Sequence, residues 1–317
     1  MLSARELFEE NPAGARLAAP ALVYQGSGFL AVYKPPCMHC APQSGGEPPA
    51  QSLASWVFER WPEAASAGPG PEGGLIHRID YGTSGLVLFA LDRAAYAALR
   101  AEQERDGIAK EYLLRCSAAP AGFSLPGSRP GRGRPSSLSA EAWETALAGG
   151  LGCPPADASN GRAAAASGAA AHAADGAAAD GAAADGPLRF PLEVACRFRP
   201  YGPAGARVAC LGPGEPPPRG RRAHGTPERL YRTLILSIKE EERAGGAHGD
   251  GEERIFECRA RITRGFRHQI RAQFAWLGLP LIGDESYGGK RSARLNLHAA
   301  VIEFASPGDG ELLHIEF

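Results

Sequence analysis

Apolar and polar positions fall into short runs that read as strands more often than as helices. Leu86-Val87-Leu88-Phe89-Ala90-Leu91 is uninterrupted apolar and predicts a buried strand. Phe29-Leu30-Ala31-Val32-Tyr33 predicts another, stopped at Lys34-Pro35-Pro36 because proline brings no N–H to a ladder. From Ile255 to Ile262 the alternation is strict, with Phe256, Cys258, Ala260 and Ile262 on one face and Glu257, Arg259 and Arg261 on the other. Further strands are predicted over Lys110 to Ser117, Leu192 to Arg199, Arg207 to Leu211 and Leu230 to Ile238. The closing runs Leu297 to Phe304 and Leu312 to Phe317, joined through Ser306-Pro307-Gly308-Asp309-Gly310, predict an antiparallel hairpin.

Helical spacing is confined to three segments. Leu53, Trp56, Val57 and Trp61 recur at helical spacing after Ser52, and Asp92 is placed to cap a second helix running to about Arg105. The third spans Arg267 to Leu277, with Ile270, Phe274 and Leu277 as its apolar stripe, Arg267 and Arg271 sharing another face, and Gly278 at the C-terminal cap. Many strands without regular helical crossovers predict an α+β fold on a mixed, mostly antiparallel sheet with flanking helices.

Between about Ser124 and Pro187 the character changes. Prolines and glycines give way to an Ala-Ala-Ala-Asp-Gly rhythm carrying Asp175, Asp180 and Asp185, with no large side chain to bury. Residues 155–187 are therefore expected to be a disordered, low-complexity insert within a domain spanning 21–317. Residues 1–20 read as an N-terminal extension, and shorter flexible excursions are expected over Gly212 to Gly225 and Glu240 to Glu253.

Composition narrows the class. The chain has 317 residues, 44% hydrophobic and 22% charged, as in ordinary soluble proteins, and no apolar stretch nears the roughly 20 residues that span a bilayer. Acids at Glu6, Glu9 and Glu10 occupy the region where a secretory signal would be basic and then apolar. Seven scattered cysteines fit reduced thiols rather than a disulfide framework. These features lead to the expectation of a cytoplasmic protein with no membrane association. Cys37-Met38-His39-Cys40 has zinc-like spacing, but no second Cys-x-x-Cys completes a site, so no metal is expected.

The richest segment is His77-Arg78-Ile79-Asp80-Tyr81-Gly82-Thr83-Ser84-Gly85, immediately before the Leu86 run. It sets one carboxylate in a turn of small and hydroxyl residues that a buried strand anchors, which fixes position without bulk. Its order resembles the active-site motif of the RluA-type pseudouridine synthases. Lys110-Glu111-Tyr112-Leu113 is similar to that family's Lys-x-Tyr segment, and Arg267-His268-Gln269-Ile270-Arg271 to its His-Gln-Ile-Arg helix. Gly278-Leu279-Pro280-Leu281-Ile282-Gly283-Asp284 with Tyr287-Gly288 resembles the loop that follows, and Leu297-His298-Ala299 the late strand. Lys34-Pro35-Pro36 resembles the family's first strand end, with Cys37 where a glycine is usual, and Gly265-Phe266-Arg267 departs from the usual Gly-Arg-Thr.

The resemblance implies the pseudouridine synthase fold with a central catalytic cleft, RNA as partner (ribosomal or transfer), and no cofactor. It implies Asp80 as the catalytic carboxylate, paired with Arg271, with Tyr112 against the uracil. Arg78 would hold the extracted nucleotide, and Arg267 and His268 are candidate substrate contacts. A carboxylate can serve here as nucleophile or as base. No S4 RNA-binding module is expected, the first 20 residues being too few for one.

The net charge of −1 conceals an uneven distribution. Nine arginines face three glutamates between Arg189 and Arg232, and Arg259, Arg261, Arg264, Arg267 and Arg271 follow without an acid among them. A basic face of this kind is compatible with nucleic-acid binding. The alternative function is a catalytically inactive RNA-binding protein of the same fold, against which the intact Asp80, Tyr112 and Arg271 weigh. An unrelated aspartate-dependent hydrolase would need a second carboxylate, for which Asp284 is the one motif-borne candidate. Deleting residues 155–187 should leave the protein soluble and its chemistry largely intact; loss of soluble expression would refute the reading of that stretch.

Overall fold

The computed structural model describes residues 7–8, 18–42, 51–118, 190–212, 229–241 and 254–317. The 155–187 insert lies outside them, as do nearly all of the two shorter excursions and most of the N-terminal extension. Among the described residues ten strands form one sheet: β1 Ala21–Gly26, β2 Phe29–Lys34, β3 Ser84–Ala90, β4 Ala109–Ser117, β5 Leu192–Tyr201, β6 Arg207–Leu211, β7 Tyr231–Glu240, β8 Ile255–Ile262, β9 Leu297–Ala305 and β10 Leu312–Glu316. Their order is β1-β2-β3-β9-β4-β8-β7-β5-β6, with β10 also on β9. All pairings are antiparallel except β3 with β9.

The continuous apolar runs are continuous because their strands are covered on both sides. In β2 and β3, Leu30, Val32, Val87 and Phe89 enter one core, while Phe29, Ala31, Leu86, Leu88 and Ala90 enter a second on the opposite face. Helix α3 (Arg93–Glu104) closes the second core with Ala95 and Leu99. Its Asp92 cap accepts from Ala95 N–H at 2.8 Å. Helix α1 (Leu53–Arg60) begins at Ser52, whose hydroxyl accepts from Ser55 N–H, and buries Leu53, Ala54 and Val57; α2 (Ala64–Ala67) follows. Strand β8 keeps its alternation, the four apolar positions buried and the intervening charges half-buried.

The last helix differs from the sequence reading. Helix α4 runs Gln269–Trp276, so Arg267 and His268 precede it and Arg267 shares no helical face with Arg271. Nor has it a single apolar stripe, since seven of its eight residues are buried. Gln269 and Gln273 are tolerated inside because their amides are hydrogen-bonded. Thr233 Oγ1 donates to Gln273 Oε1 at 2.6 Å, Gln273 Nε2 reaches the carbonyls of Val194 and Tyr231, and Gln269 Nε2 donates to that of Arg232. These bonds tie α4 to β5 and β7. Gly278, at φ +83°, ends the helix as expected.

Strand β9 forks the sheet. Its first half lies beside β3, with Ser84 opposite His298 and Gly85 opposite Ala299, and its second half pairs with β10. At Gly85, φ is +119° and an added Cβ would sit 2.3 Å from the Ala299 carbonyl oxygen, so only glycine permits this approach.

A buried polar relay crosses the fork: Arg294 donates to Ser84 Oγ, Ser84 meets His298 Nδ1 at 2.9 Å, and His298 Nε2 faces the Phe317 carbonyl at 3.3 Å. A carbonyl only accepts, so Nε2 carries the proton and Nδ1 accepts from the Ser84 hydroxyl. Burial pushes the His298 pKa down to about 4, with Arg294 adding to the effect and the Phe317 bond opposing it. Between its unfolded value near 6.5 and about 4, the unfolded chain binds the extra proton, so His298 stabilises the fold above pH 6.5 and that stability is lost as pH falls. His77, also buried neutral, acts in the same direction. Thermal unfolding should therefore show a melting temperature rising from pH 4 to pH 6.5, with a shallower rise in His298→Gln; an unchanged slope in that variant would refute the assignment.

Candidate active site

Asp80 sits on the turn that leads into β3, closed by a Thr83 N–H bond to the Asp80 carbonyl at 3.0 Å. Two groups grip the peptides on either side. The Lys34 ammonium, at the buried end of β2, donates to the carbonyls of Pro35 and Met38 at 2.8 Å and of Tyr81 at 3.2 Å. The Cys40 thiol lies 3.4 Å from both the N–H and the carbonyl oxygen of Ile79. The residue before the carboxylate and the residue after it are thus both fixed. Cys37, where the family resemblance would place a glycine, takes φ +58°, a left-handed conformation that glycine adopts without strain.

From the other side of the site comes α4. Arg271 Nε and Nη2 form a two-bond fork with Asp284 at 2.6 and 2.8 Å, and the remaining Nη1 reaches Asp80 Oδ2 at 3.3 Å. The Asp284 side chain is 1% exposed, that of Arg271 12% and that of Asp80 23%, so the cluster grades from dry to accessible toward Asp80. Burial by itself would lower the Arg271 pKa, but its bonds to Asp284 and the charges of both carboxylates outweigh that and hold it above the usual arginine range. The Tyr287 ring packs beneath the guanidinium at 5.3 Å. Its hydroxyl accepts from Val208 N–H at 2.9 Å and meets His268 Nδ1 at 3.0 Å.

A cleft of about 900 Å³ opens over this cluster, and all six sequence-derived candidates line it. They are not equivalent. Tyr112, on β4, is buried, and its phenol is pushed up, first by burial and then by the charge of Asp80. It therefore enters any reaction as a phenol rather than a phenolate. His268 is held in a left-handed conformation at φ +57°, and burial lowers its pKa. Arg78 is 66% exposed and pairs with Glu72 at 3.2 Å. Arg267 is exposed and donates to the Gly205 carbonyl.

Sequence reasoning passed over Asp284 as a partner of Arg271, and over Lys34 and Cys40 as holders of the Asp80 turn. For Lys34 a signal existed, a lone cation ending an apolar strand before Pro-Pro. For Cys40 there was none, because its contact spans 39 residues of chain. The basic face is also reduced: Arg232 pairs with Glu193, Arg261 with Glu111 and Glu303, and Arg264 with Asp106.

Residues 28–137 match the family described as RNA pseudouridylate synthase. Among curated proteins, RNA pseudouridine synthase 2, chloroplastic, of Oryza sativa subsp. japonica is 35% identical over 78 residues, 17% of this chain and 18% of that protein. The uncharacterized RNA pseudouridine synthase YlyB of Bacillus subtilis (strain 168) is 37% identical over 65 residues, 20% of this chain and 21% of that protein. The aligned stretches thus span roughly a fifth of those relatives. Two solved structures, human RNA pseudouridylate synthase domain containing 1 and domain containing 4, superpose with TM-scores of 0.53 and 0.50 at 16% and 12% identity. The matches cover 95% and 96% of this chain, and 84% and 90% of those chains. The chain has the α+β fold of pseudouridylate synthase domains, and the sequence matches support the RluA-type resemblance carried by its motifs.

Removing one member of a buried ion pair strands the other. Asp284→Ala should cost about 3 kcal/mol or more, read by urea unfolding, and a loss below about 1 kcal/mol would show that Arg271 does not depend on Asp284.

Proposed function

We propose that the chain converts uridine to pseudouridine in RNA, with a ribosomal or transfer RNA as substrate and Asp80 as the catalytic carboxylate. The observation that carries this reading is the placement of Asp80: the most accessible acid of a buried ion cluster, at the wall of a cleft and in contact with Arg271. The reaction breaks the C1′–N1 bond, turns the uracil and forms C1′–C5. The proton at C5 leaves and N1 gains one, so the product is an isomer and neither oxidant nor phosphoryl donor is consumed.

Both routes open to the carboxylate, attack as a nucleophile or removal of a ribose proton as a base, need it ionised. Arg271 gives Asp80 a single long bond while Asp284 takes the two short ones, which leaves Asp80 lone pairs for the substrate. Tyr112, a buried phenol on the same cleft, supplies a rigid surface for the uracil ring and a hydroxyl to donate to it. Arg78, exposed beside Glu72, would help hold the target nucleotide out of its stack. No step requires a cofactor. A cytoplasmic setting goes with this reading and rests on the mostly buried thiols, none of which forms a disulfide among the described residues.

Tritium release from C5-labelled uridine in unmodified total RNA tests the reading directly. Wild-type protein should release the label and Asp80→Asn should not, a loss of at least about three orders of magnitude if a covalent or proton-transfer role is removed. Equal release by both proteins would remove Asp80 from the chemistry. RNA binding without release from any RNA pool would favour the inactive binding protein.

A further inference from the structure

Phe266 lines the cleft that holds Asp80 and has no part in the chemistry proposed above. It is half-buried, and its ring is stacked on Phe198, with centroids 4.9 Å apart and planes within 3° of parallel. Phe198 is fully buried, so this contact lays one face of the Phe266 ring against the core and leaves its far face and edge as the accessible part. Tyr231 braces the same ring at 4.9 Å and 54°, and also meets Phe198. Gly265, just before it, is exposed, and a side chain there would meet only Ile262, at 3.8 Å, so the approach beside the ring is open.

The backbone holds this ring in place. Phe266 N–H donates to Gln269 Oε1 at 2.9 Å, and the Phe266 carbonyl accepts from the Gln269 N–H at 3.0 Å. The same Gln269 amide donates to the carbonyl of Arg232, next to Tyr231, so one side chain ties the platform to the ring that braces it. An aromatic face backed by two other rings and pinned at its own peptide has little freedom left to lose when a flat partner settles on it. Gly265-Phe266-Arg267 is also the stretch at which the chain leaves the motif it otherwise follows, with an apolar ring where a cation is usual.

We infer that Phe266 is a stacking subsite for a base of the RNA strand flanking the target uridine. The inference rests on the proposed RNA substrate and deepens it with an anchoring point outside the Asp80–Arg271–Asp284 cluster. The target uracil has its own surface in Tyr112 on β4. Phe198, which backs Phe266, belongs to β5, three places along the sheet from β4, or roughly 14 Å at about 4.8 Å per strand. The two rings thus serve separate parts of the cleft wall, and a neighbouring base takes the second. Because every base has a π-face, the subsite anchors the strand without reading its sequence.

The test uses the full chain, unmodified total RNA, and the Phe266→Leu and Phe266→Trp variants. In tritium release, Phe266→Leu should raise KM about tenfold while kcat stays within about twofold of wild type. RNA binding should weaken by the same factor with the slope of log affinity on log salt unchanged, since stacking releases no counterions. Phe266→Trp should bind as the wild type does, and its added indole fluorescence, measured against the wild type, should be quenched by RNA. A wild-type KM in Phe266→Leu, or an added indole that saturating RNA leaves unquenched, overturns the subsite. A loss in kcat at unchanged KM would assign the ring to the target uracil and overturn the flanking base. Should a lowered melting temperature show that Phe266→Leu is poorly folded, the quenching in Phe266→Trp decides alone. If the wild type neither binds RNA nor releases tritium, the proposed function falls, whereas wild-type release with unaffected variants removes the stacking subsite alone.

Discussion

One guanidinium shared between two carboxylates holds the active region together. Arg271 belongs to α4, Asp284 to the loop that follows it, and Asp80 to the turn before β3, so a single side chain joins three segments that have no covalent reason to meet. The division of its donors matters more than their number. Asp284 is nearly inaccessible and takes the two short bonds, which neutralises the cation where water cannot. Asp80 receives the third donor at 3.3 Å and keeps most of its hydrogen-bonding capacity. Had Asp80 taken the fork instead, both its oxygens would be occupied, like those of Asp284, and the carboxylate would be of little use to a substrate.

The backbone supports this arrangement by close approach rather than by bulk. Gly85 lets β3 lie against β9 where any side chain would meet the Ala299 carbonyl, and Gly283, at φ +83°, passes as tightly by the Arg294 carbonyl. The first sets the end of the Asp80 turn and the second the start of the Asp284 loop. Lys34 and Cys40 then fix the peptides flanking Asp80. Its position is consequently set by the sheet, and the carboxylate needs no support from the substrate to point into the cleft.

Strands and caps were legible in the sequence because they are local. Ser52 and Asp92 cap the helices they precede, and the alternation of Ile255 to Ile262 survives unchanged in β8. The helix itself was legible, but the reading of α4 as having one apolar face failed because periodicity reports one buried face, and a helix wedged between sheet and loop has no free face to report. Gln269 and Gln273 are polar yet buried, held by partners on β5 and β7 that no local pattern announces. The motifs supplied Asp80, Tyr112 and Arg271, yet not the fork to Asp284, since pairing among three charges depends on geometry that spacing does not encode. Part of the arginine-rich stretch is neutralised for a related reason: the acids that pair with Arg232, Arg261 and Arg264 lie far away in the chain.

The contact between Arg271 and Asp80 closes a loop of 191 residues. During synthesis the carboxylate leaves the ribosome long before the guanidinium that completes it, at the roughly 5–20 residues per second of translation. Throughout that interval the nascent chain carries half an active region, with Asp80 bare and the first cleft wall unopposed. A prematurely terminated chain therefore inherits the most recognisable motif of the protein without the cation that motif depends on. The proposed activity would belong only to chains long enough to carry Arg271.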